Sequence, residues 1–156
     1  CSCAACGAAV FSVRPLDAQL RQDVLNLRLY EHQKGYVEPV AQCLQEAESC
    51  RFFEPAALLL EGKVVGFAMY GEFPNELEGR RVWLDRLLLD RDSQGRGLGK
   101  VLVRDLVDYL RREYGCRRIY LSLFDDNRVA RHIYEALGFA FNGELDRQGE
   151  RIMVLE

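Results

Sequence analysis

The chain has 156 residues, 49% hydrophobic and 29% charged, with 21 basic and 24 acidic side chains giving a net charge of −3. That is the size and balance of one soluble domain with its own core. The acidic excess argues against a general nucleic-acid binder, and no apolar run approaches the ~20 residues of a membrane span.

The first eleven residues lack the basic start and long apolar centre of a secretory signal. Cys1, Cys3 and Cys6 crowd this stretch. Its C-x-x-C, Cys3-Ala4-Ala5-Cys6, is followed by no second pair or His cluster at zinc-like spacing, so no metal site is expected. Residues 1–8 are read as an N-terminal tail, and residues 9–156 as a single domain. Cys43, Cys50 and Cys116 are scattered and read as the reduced thiols of a cytoplasmic protein.

Ala8 to Val13 reads as a short strand closed by Arg14-Pro15. Asp17 is placed to cap a helix whose stripe, Leu20, Val24 and Leu27, runs to about Tyr30. Glu31 to Tyr36 is polar and reads as a loop. Glu38-Pro39 opens a second helix with Val40, Leu44 and Ala47 on one side. Phe52–Leu60 and Val64–Tyr70 flank Glu61-Gly62-Lys63 as a hairpin. Glu72 to Arg80, with Pro74, Asn75 and Gly79, reads as a loop before a strand from Val82 to Asp90. Leu98 to Tyr114 reads as a long helix ended by Gly115. A strand follows at Arg118–Phe124. A helix capped within Asp125-Asp126-Asn127 runs to Leu137 and is closed by Gly138. Phe139–Glu144 and Arg151–Leu155 form a last hairpin. The order is β-α-α-β-β-β-α-β-α-β-β, an α/β chain without repeats.

The chain is organised around Val82 to Val101, where a strand feeds a glycine-rich turn that opens a helix. Such a turn lets the backbone approach a pyrophosphate without Cβ clash, and the N–H groups of the first helical turn point at the anion. A P-loop is excluded because Lys100 is followed by Val101 and position 94 is Gln. A dinucleotide fingerprint is excluded because its third glycine would fall at Lys100. What fits is Q-x-x-G-x-G: Gln94, Gly97 and Gly99.

With that turn, with the element order, and with Asn127 to Phe139 reading N-x-x-A-x-x-x-Y-x-x-x-G-F, the chain resembles the GCN5-related N-acetyltransferases. The resemblance covers nearly everything from Val10 onward. It implies a single-domain acyl-CoA N-acyltransferase fold: a mixed sheet of about seven strands flanked by four helices. It implies acetyl-CoA as cosubstrate and no metal. Gln94, Gly95, Arg96, Gly97, Leu98, Gly99 and Lys100 would hold the pyrophosphate, and Leu87, Leu88 and Leu89 the pantetheine arm, with a backbone N–H near Leu87 for the oxyanion. Asn127 and Arg131 would also meet the cosubstrate; on spacing alone Asn127 is equally a helix N-cap. Tyr134 would stand beside the sulfur as the acid that protonates the departing thiolate, although in isolation it reads as a core aromatic. A phenol near ~10 facing a thiolate near ~8.5 is a workable donor.

Asp85 lies inside an otherwise apolar strand, costly unless paired or used. The structural alternative is an ion pair with Arg86 or Arg81, although strand alternation sends Asp85 and Arg86 to opposite faces and makes Arg86 an unobvious partner. Within the family an acidic residue here serves the polyamine acetyltransferases as proton acceptor. That step is required because an amine of pKa near ~10 is mostly ammonium at neutral pH and only the free amine attacks a thioester. No cysteine stands where a covalent acetyl-enzyme would need one, so direct transfer in a ternary complex is expected.

The strings VGFAMYG (65–71), RVWLDR (81–86), CRRIYLS (116–122) and FNGELD (141–146) resemble the bacterial spermine/spermidine N-acetyltransferases. Such a substrate needs spaced carboxylates and aromatic walls. The candidates are Glu31, Tyr36, Glu38, Glu72, Asp85 and Glu144, each of which, Asp85 apart, could equally be a solvated surface group. The rival readings are an acetyltransferase for a peptide amine or an aminoglycoside, which changes only the pocket, and a silent acetyl-CoA-binding module, which would not need both Asp85 and Tyr134. The resemblance also implies a homodimer; no nucleic-acid or membrane partner is expected.

Overall fold

The computed structural model describes residues 11–29, 39–94 and 97–156. Along the chain lie β1 (Phe11–Pro15), α1 (Ala18–Leu25), α2 (Val40–Ser49), β2 (Glu54–Leu60), β3 (Lys63–Asn75), β4 (Gly79–Leu89), a single 3-10 turn at Arg91–Ser93, α3 (Leu98–Tyr114), β5 (Ile119–Leu123), α4 (Arg128–Ala136), β6 (Ala140–Leu145) and β7 (Arg151–Leu155). The strands form one seven-stranded sheet in the order β1-β2-β3-β4-β5-β7-β6. Every neighbouring pair is antiparallel except β4 and β5, which are parallel and meet at one position, Trp83 opposite Tyr120. The expected architecture, a mixed sheet of seven strands with four α-helices, is what the described residues form.

Alternation along the strands gives the sheet two apolar faces. Ala56, Leu58, Ala68, Leu84, Leu121 and Met153 point to the face covered by α3, whose Leu102, Leu106 and Leu110 are fully buried. Ala57, Leu59, Phe67, Met69 and Leu88 point to the opposite face, where Val24 of α1 and Cys43 and Leu44 of α2 cover them. Local chemistry sets the element ends. Asp17 accepts from the Leu20 N–H at 2.8 Å and starts α1. Glu61 and Gly62 both take positive φ in the β2–β3 hairpin, and Gly115 ends α3 in the left-handed conformation.

Two expectations are corrected. The first helix stops at Leu25, not near Tyr30, because the Asn26 N–H bonds back to the Asp23 and Val24 carbonyls. Leu27 and Leu29 still pack on the second core from outside the helix, which is why the apolar spacing outlasts it. The stretch from Glu72 to Arg80 is mostly strand. β3 and β4 remain paired from Glu72 opposite Val82 to Asn75 opposite Gly79. The Asn75 side chain accepts from the Leu77 and Glu78 N–H groups at 2.9 and 3.0 Å and closes the turn. Phe73 packs on Phe52 and Phe53, but most of the arm's other side chains are polar or exposed, so its strand pattern is hidden.

Candidate active site

The strand preceding the glycine turn carries the site. Opposite β3, Met69 pairs with Arg86 and Tyr70 with Leu84, so Asp85 is the extra residue of a β-bulge. Leu84 and Leu87 join the core under α3, whereas Arg86 reaches Glu46 of α2 on the other face. The bulge therefore turns Asp85 and Arg86 to the same side. Arg86 Nη1 lies 2.5 Å from Asp85 Oδ2, and its Nη2 lies 3.2 Å from Glu46 Oε2. The expectation from plain alternation, that Arg86 would be turned away from Asp85, is overturned by this one inserted residue.

Past Trp83, β4 and β5 no longer pair. β4 stays bonded to β3 through Leu89, and β5 stays bonded to β7 through Leu123. The inward edges of both strands therefore diverge into a V-shaped gap, with Leu87, Leu88 and Leu89 along one side. Unpaired strand edges of this kind offer backbone donors and acceptors to an extended ligand arm.

The gap leads to the turn that opens α3. Asp90 accepts from the Arg28 N–H at 2.9 Å and the Asp92 N–H at 3.2 Å, and Arg28 forms an ion pair with Asp92. The Asp90 N–H bonds to Val65 O at 2.8 Å. The turn is thus tied to β3 and to the segment after α1, a role for Arg28 and Asp90 that no sequence motif marked. Gln94 turns its amide back to Leu89 O at 2.9 Å and fastens the turn to the strand end. Gly97, exposed and at φ 72°, is the N-cap of α3 and has no atom within 4 Å of where a Cβ would stand. Its positive φ is what glycine supplies here. The first N–H groups of α3, from Leu98, Gly99 and Lys100, have no partner within the helix. Exposed donors on an open surface at a helix N-terminus fit a pyrophosphate. Gly95 and Arg96 lie outside the described residues, as do Glu31, Tyr36 and Glu38.

Tyr134 sits on α4, packed against the main core with its ring 5.7 Å from that of Phe139. Burial pushes its phenol up to about 12, so the hydroxyl stays protonated at neutral pH. Asn127 caps α4 by accepting from the Ala130 N–H at 3.4 Å. Arg131 is engaged away from Tyr134: its Nε lies 2.7 Å from Glu135 Oε1 and its guanidinium stands 5.0 Å from the Phe141 ring.

The remaining acidic candidates are not gathered around Asp85. Glu72 shares its face with Val82 and pairs with Arg80 at 2.7 Å. Glu144 takes both Arg81 Nη atoms at 3.1 Å and the Asn142 amide at 2.7 Å. Arg81 is buried, stacks 4.4 Å above the Tyr120 ring, and gives its Nε to Glu78 at 2.5 Å. Glu78 also accepts from the Tyr120 hydroxyl at 2.6 Å and from Arg118 at 2.8 Å. Those bonds, Tyr120's foremost, hold its carboxyl below the usual range. This network locks the closed end of the V. A cleft of about 450 Å³ opens beside it, lined by Arg80, Arg81, Cys116, Arg117 and Tyr120 among others, at the end of the strands away from the glycine turn. Among the described residues no group of His, Cys, Asp and Glu is placed to hold a metal ion, and no helix is long and apolar enough to cross a membrane.

The model of the acetyltransferase (GNAT) family matches residues 18–139. The spermine/spermidine N(1)-acetyltransferase of Bacillus subtilis is 45% identical over 139 residues, covering 87% of this chain and 91% of that protein. Solved structures share the fold at low identity. The spermidine N-acetyltransferase of Vibrio cholerae, in complex with CoA and spermine, superposes with a TM-score of 0.69 at 19% identity over 92% of each chain. RimJ of Mycobacterium smegmatis, in complex with CoA-disulfide, gives 0.73 at 16% identity over 94% of this chain and 81% of its own.

Proposed function

The chain belongs to the acetyltransferase (GNAT) family, whose acyl donor is acetyl-CoA, and from that premise we propose that it transfers the acetyl group to a primary amine of spermine or spermidine by direct attack in a ternary complex. The observation that carries the substrate is the 45% identity to a spermine/spermidine acetyltransferase across nearly its whole length. Residues 9–156 are read as the one catalytic domain.

Acetyl-CoA supplies the thioester. The helix-opening N–H groups after Gly97 bind its pyrophosphate, and the free inward edge of Leu87–Leu89 binds its pantetheine arm. Asp85 takes the proton from the incoming ammonium and frees the amine lone pair. The free amine adds to the thioester carbonyl, with the oxyanion held by a backbone N–H near Leu87; the C–S bond then breaks as the carbonyl re-forms, and the surplus proton on nitrogen passes to water. Tyr134 gives its proton to the departing sulfur. Among the described residues, the carboxylates of Asp85 and Glu46 both lie against the guanidinium of Arg86, and acidic groups here suit a cationic substrate.

We read the enzyme as cytoplasmic and homodimeric. Leu145 on the edge strand β6, 64% exposed, supports a protein contact there, and sedimentation of the full chain tests it. The activity is tested by thiol release from acetyl-CoA with spermine, spermidine, putrescine, a lysine peptide and an aminoglycoside compared by kcat/KM. Selectivity for the longer polyamines is the expected result. Turnover of only the peptide or the aminoglycoside would replace the substrate, and no turnover despite tight acetyl-CoA binding would favour a silent binding module.

A further inference from the structure

Trp83 is the chain's single tryptophan, and it stands where the two halves of the sheet meet. Val82 and Leu84 on either side of it are buried under α3, so Trp83 points to the other face, the one that Asp85 and Arg86 also face. It is half-buried, and its ring lies 5.4 Å from that of Tyr120, tilted. Tyr120 cannot itself seat a second cation on its covered side, because the Arg81 guanidinium lies over its ring at 4.4 Å. Among the described residues, Trp83 offers an aromatic surface on the face of Asp85.

The register places a second acidic group across the gap. β5 alternates as β4 does: Ile119, Leu121 and Leu123 are core residues under α3, so Tyr120 and Ser122 share the face of Trp83 and Asp85. Because the strands are parallel and pair at Trp83 opposite Tyr120, Asp85 and Ser122 are the next outward residues on the two arms of the V. The Ser122 hydroxyl donates to Asp146 Oδ2 at 2.9 Å, and the Gln148 and Glu150 N–H groups donate to Oδ1 at 2.9 Å each. Asp146 is thus held in place by neutral donors, with its charge uncompensated by any ion pair among the described residues.

We propose that Trp83 seats the second ammonium of the polyamine while the first nitrogen is at Asp85, with Asp146, held by Ser122 on the opposite arm level with Asp85, adding negative charge across the gap, and so sets the preference for polyamines over monoamines. The inference rests on the polyamine reading above. Asp85 and Trp83 are two residues apart on one strand, at most about 6.8 Å of rise and less where the bulge at Asp85 bends the strand. Successive nitrogens joined by three or four methylenes are separated by roughly 5–6 Å at ordinary bond lengths. One cation at the carboxylate therefore puts the next over the indole, the strongest of the aromatic cation acceptors. A monoamine reaches Asp85 and leaves the indole unused.

The test uses the full chain and its own fluorophore. Spermine titrated at constant ionic strength, with equal ionic strength of potassium chloride as control, is expected to change Trp83 emission saturably, over the concentrations at which turnover saturates. Unchanged emission while turnover saturates would overturn the proposal. In parallel, Trp83→Leu is expected to raise KM for spermine about five- to thirty-fold, with KM for acetyl-CoA and for n-butylamine unchanged. Trp83→Phe should restore most of the loss, and Asp146→Asn should raise spermine KM several-fold in a salt-sensitive way. If Trp83→Leu keeps the wild-type ratio of spermine to butylamine, the seat is not there. If Trp83→Leu does not fold, Trp83→Phe and the wild-type titration decide. Wild-type turnover of spermine separates the two ideas: its absence removes the polyamine reading itself, whereas its presence with silent emission removes only this subsite.

Discussion

Arg81 on β4 and Glu144 on β6 meet in a two-pronged ion pair, 3.1 Å on each prong, that spans both intervening strands. β4 belongs to one half of the sheet and β6 to the other, and backbone pairing joins the halves at one position. The side chains at the closed end of the V therefore carry much of the joint.

Glu144→Gln is expected to act on stability. It leaves the buried Arg81 with Glu78 alone and should cost about 1–2 kcal/mol, the lower range because Glu144 is itself 44% exposed. Thermal unfolding measures this, and KM for spermine should stay within about twofold. A tenfold rise in KM with unchanged stability would make Glu144 a substrate contact.

Glu78 makes the joint sensitive to acid. Its carboxyl is held low by the Tyr120 hydroxyl, then by Arg81. A depressed carboxylate contributes stability that is complete above its unfolded value near ~4.3 and is lost as pH falls through its folded value. Wild type and Glu78→Gln should thus differ most in Tm at neutral pH and converge as pH falls below the ordinary carboxylate range. A constant gap across that range would show that the charge of Glu78 is not what stabilises the joint.

Tyr134→Phe should lower kcat roughly a hundredfold with KM for acetyl-CoA little changed, since it removes only the proton given to sulfur. Because burial raises the phenol to about 12, Tyr134 should impose no falling limb on kcat below about pH 10. A falling limb near neutral pH that disappears in Tyr134→Phe would contradict this; a fully active Tyr134→Phe would remove the residue as the acid.

Asp85→Asn should depress kcat/KM for spermine roughly a hundredfold, most at low pH, where free amine is scarcest. It also removes one partner of Arg86. An unchanged rate across pH would reduce Asp85 to the counter-ion of Arg86.

Gly97→Val should abolish measurable acetyl-CoA affinity. It places a β-branched residue at φ 72° and a Cβ in the open space where the phosphates would lie. Calorimetry on a variant shown folded by circular dichroism checks it. Retained affinity would move the pyrophosphate elsewhere.

The parts of this molecule legible in the sequence are those that depend on neighbours in the chain. Gly97 in a glycine turn that opens a helix, Gly115 as a helix stop and Asn127 as a cap are local backbone chemistry, and they fix the turn and the two helices beside the gap; that Gly97 takes a left-handed φ is what the structure adds. Asp85 was legible as an oddity, a charge among leucines, and Arg86 as one of two possible partners, but alternation argued against the pair that forms. The bulge that turns Arg86 to its side is a matter of how β4 registers on β3, and alternation alone argues the opposite. Glu144 looked like a free surface carboxylate because Arg81 is 63 residues away in the chain. The Glu72–Arg80 arm was hidden because Phe73, packed on Phe52 and Phe53, is a single apolar contact and too little to stamp a period of two on it.

The diverging edges of β4 and β5 also tie folding to ligation. A sheet with an unclosed seam leaves backbone amides that exchange with solvent, and a bound pantetheine arm closes them as an added strand would. Binding free energy is then partly folding free energy, so the melting temperature should climb with acetyl-CoA concentration by mass action. The seam, not the core, should be the first region to gain deuterium protection. In a cell the working enzyme would accordingly be most resistant to proteolysis when its acyl donor is plentiful, and the same opening that admits the thioester would set how long the empty protein survives.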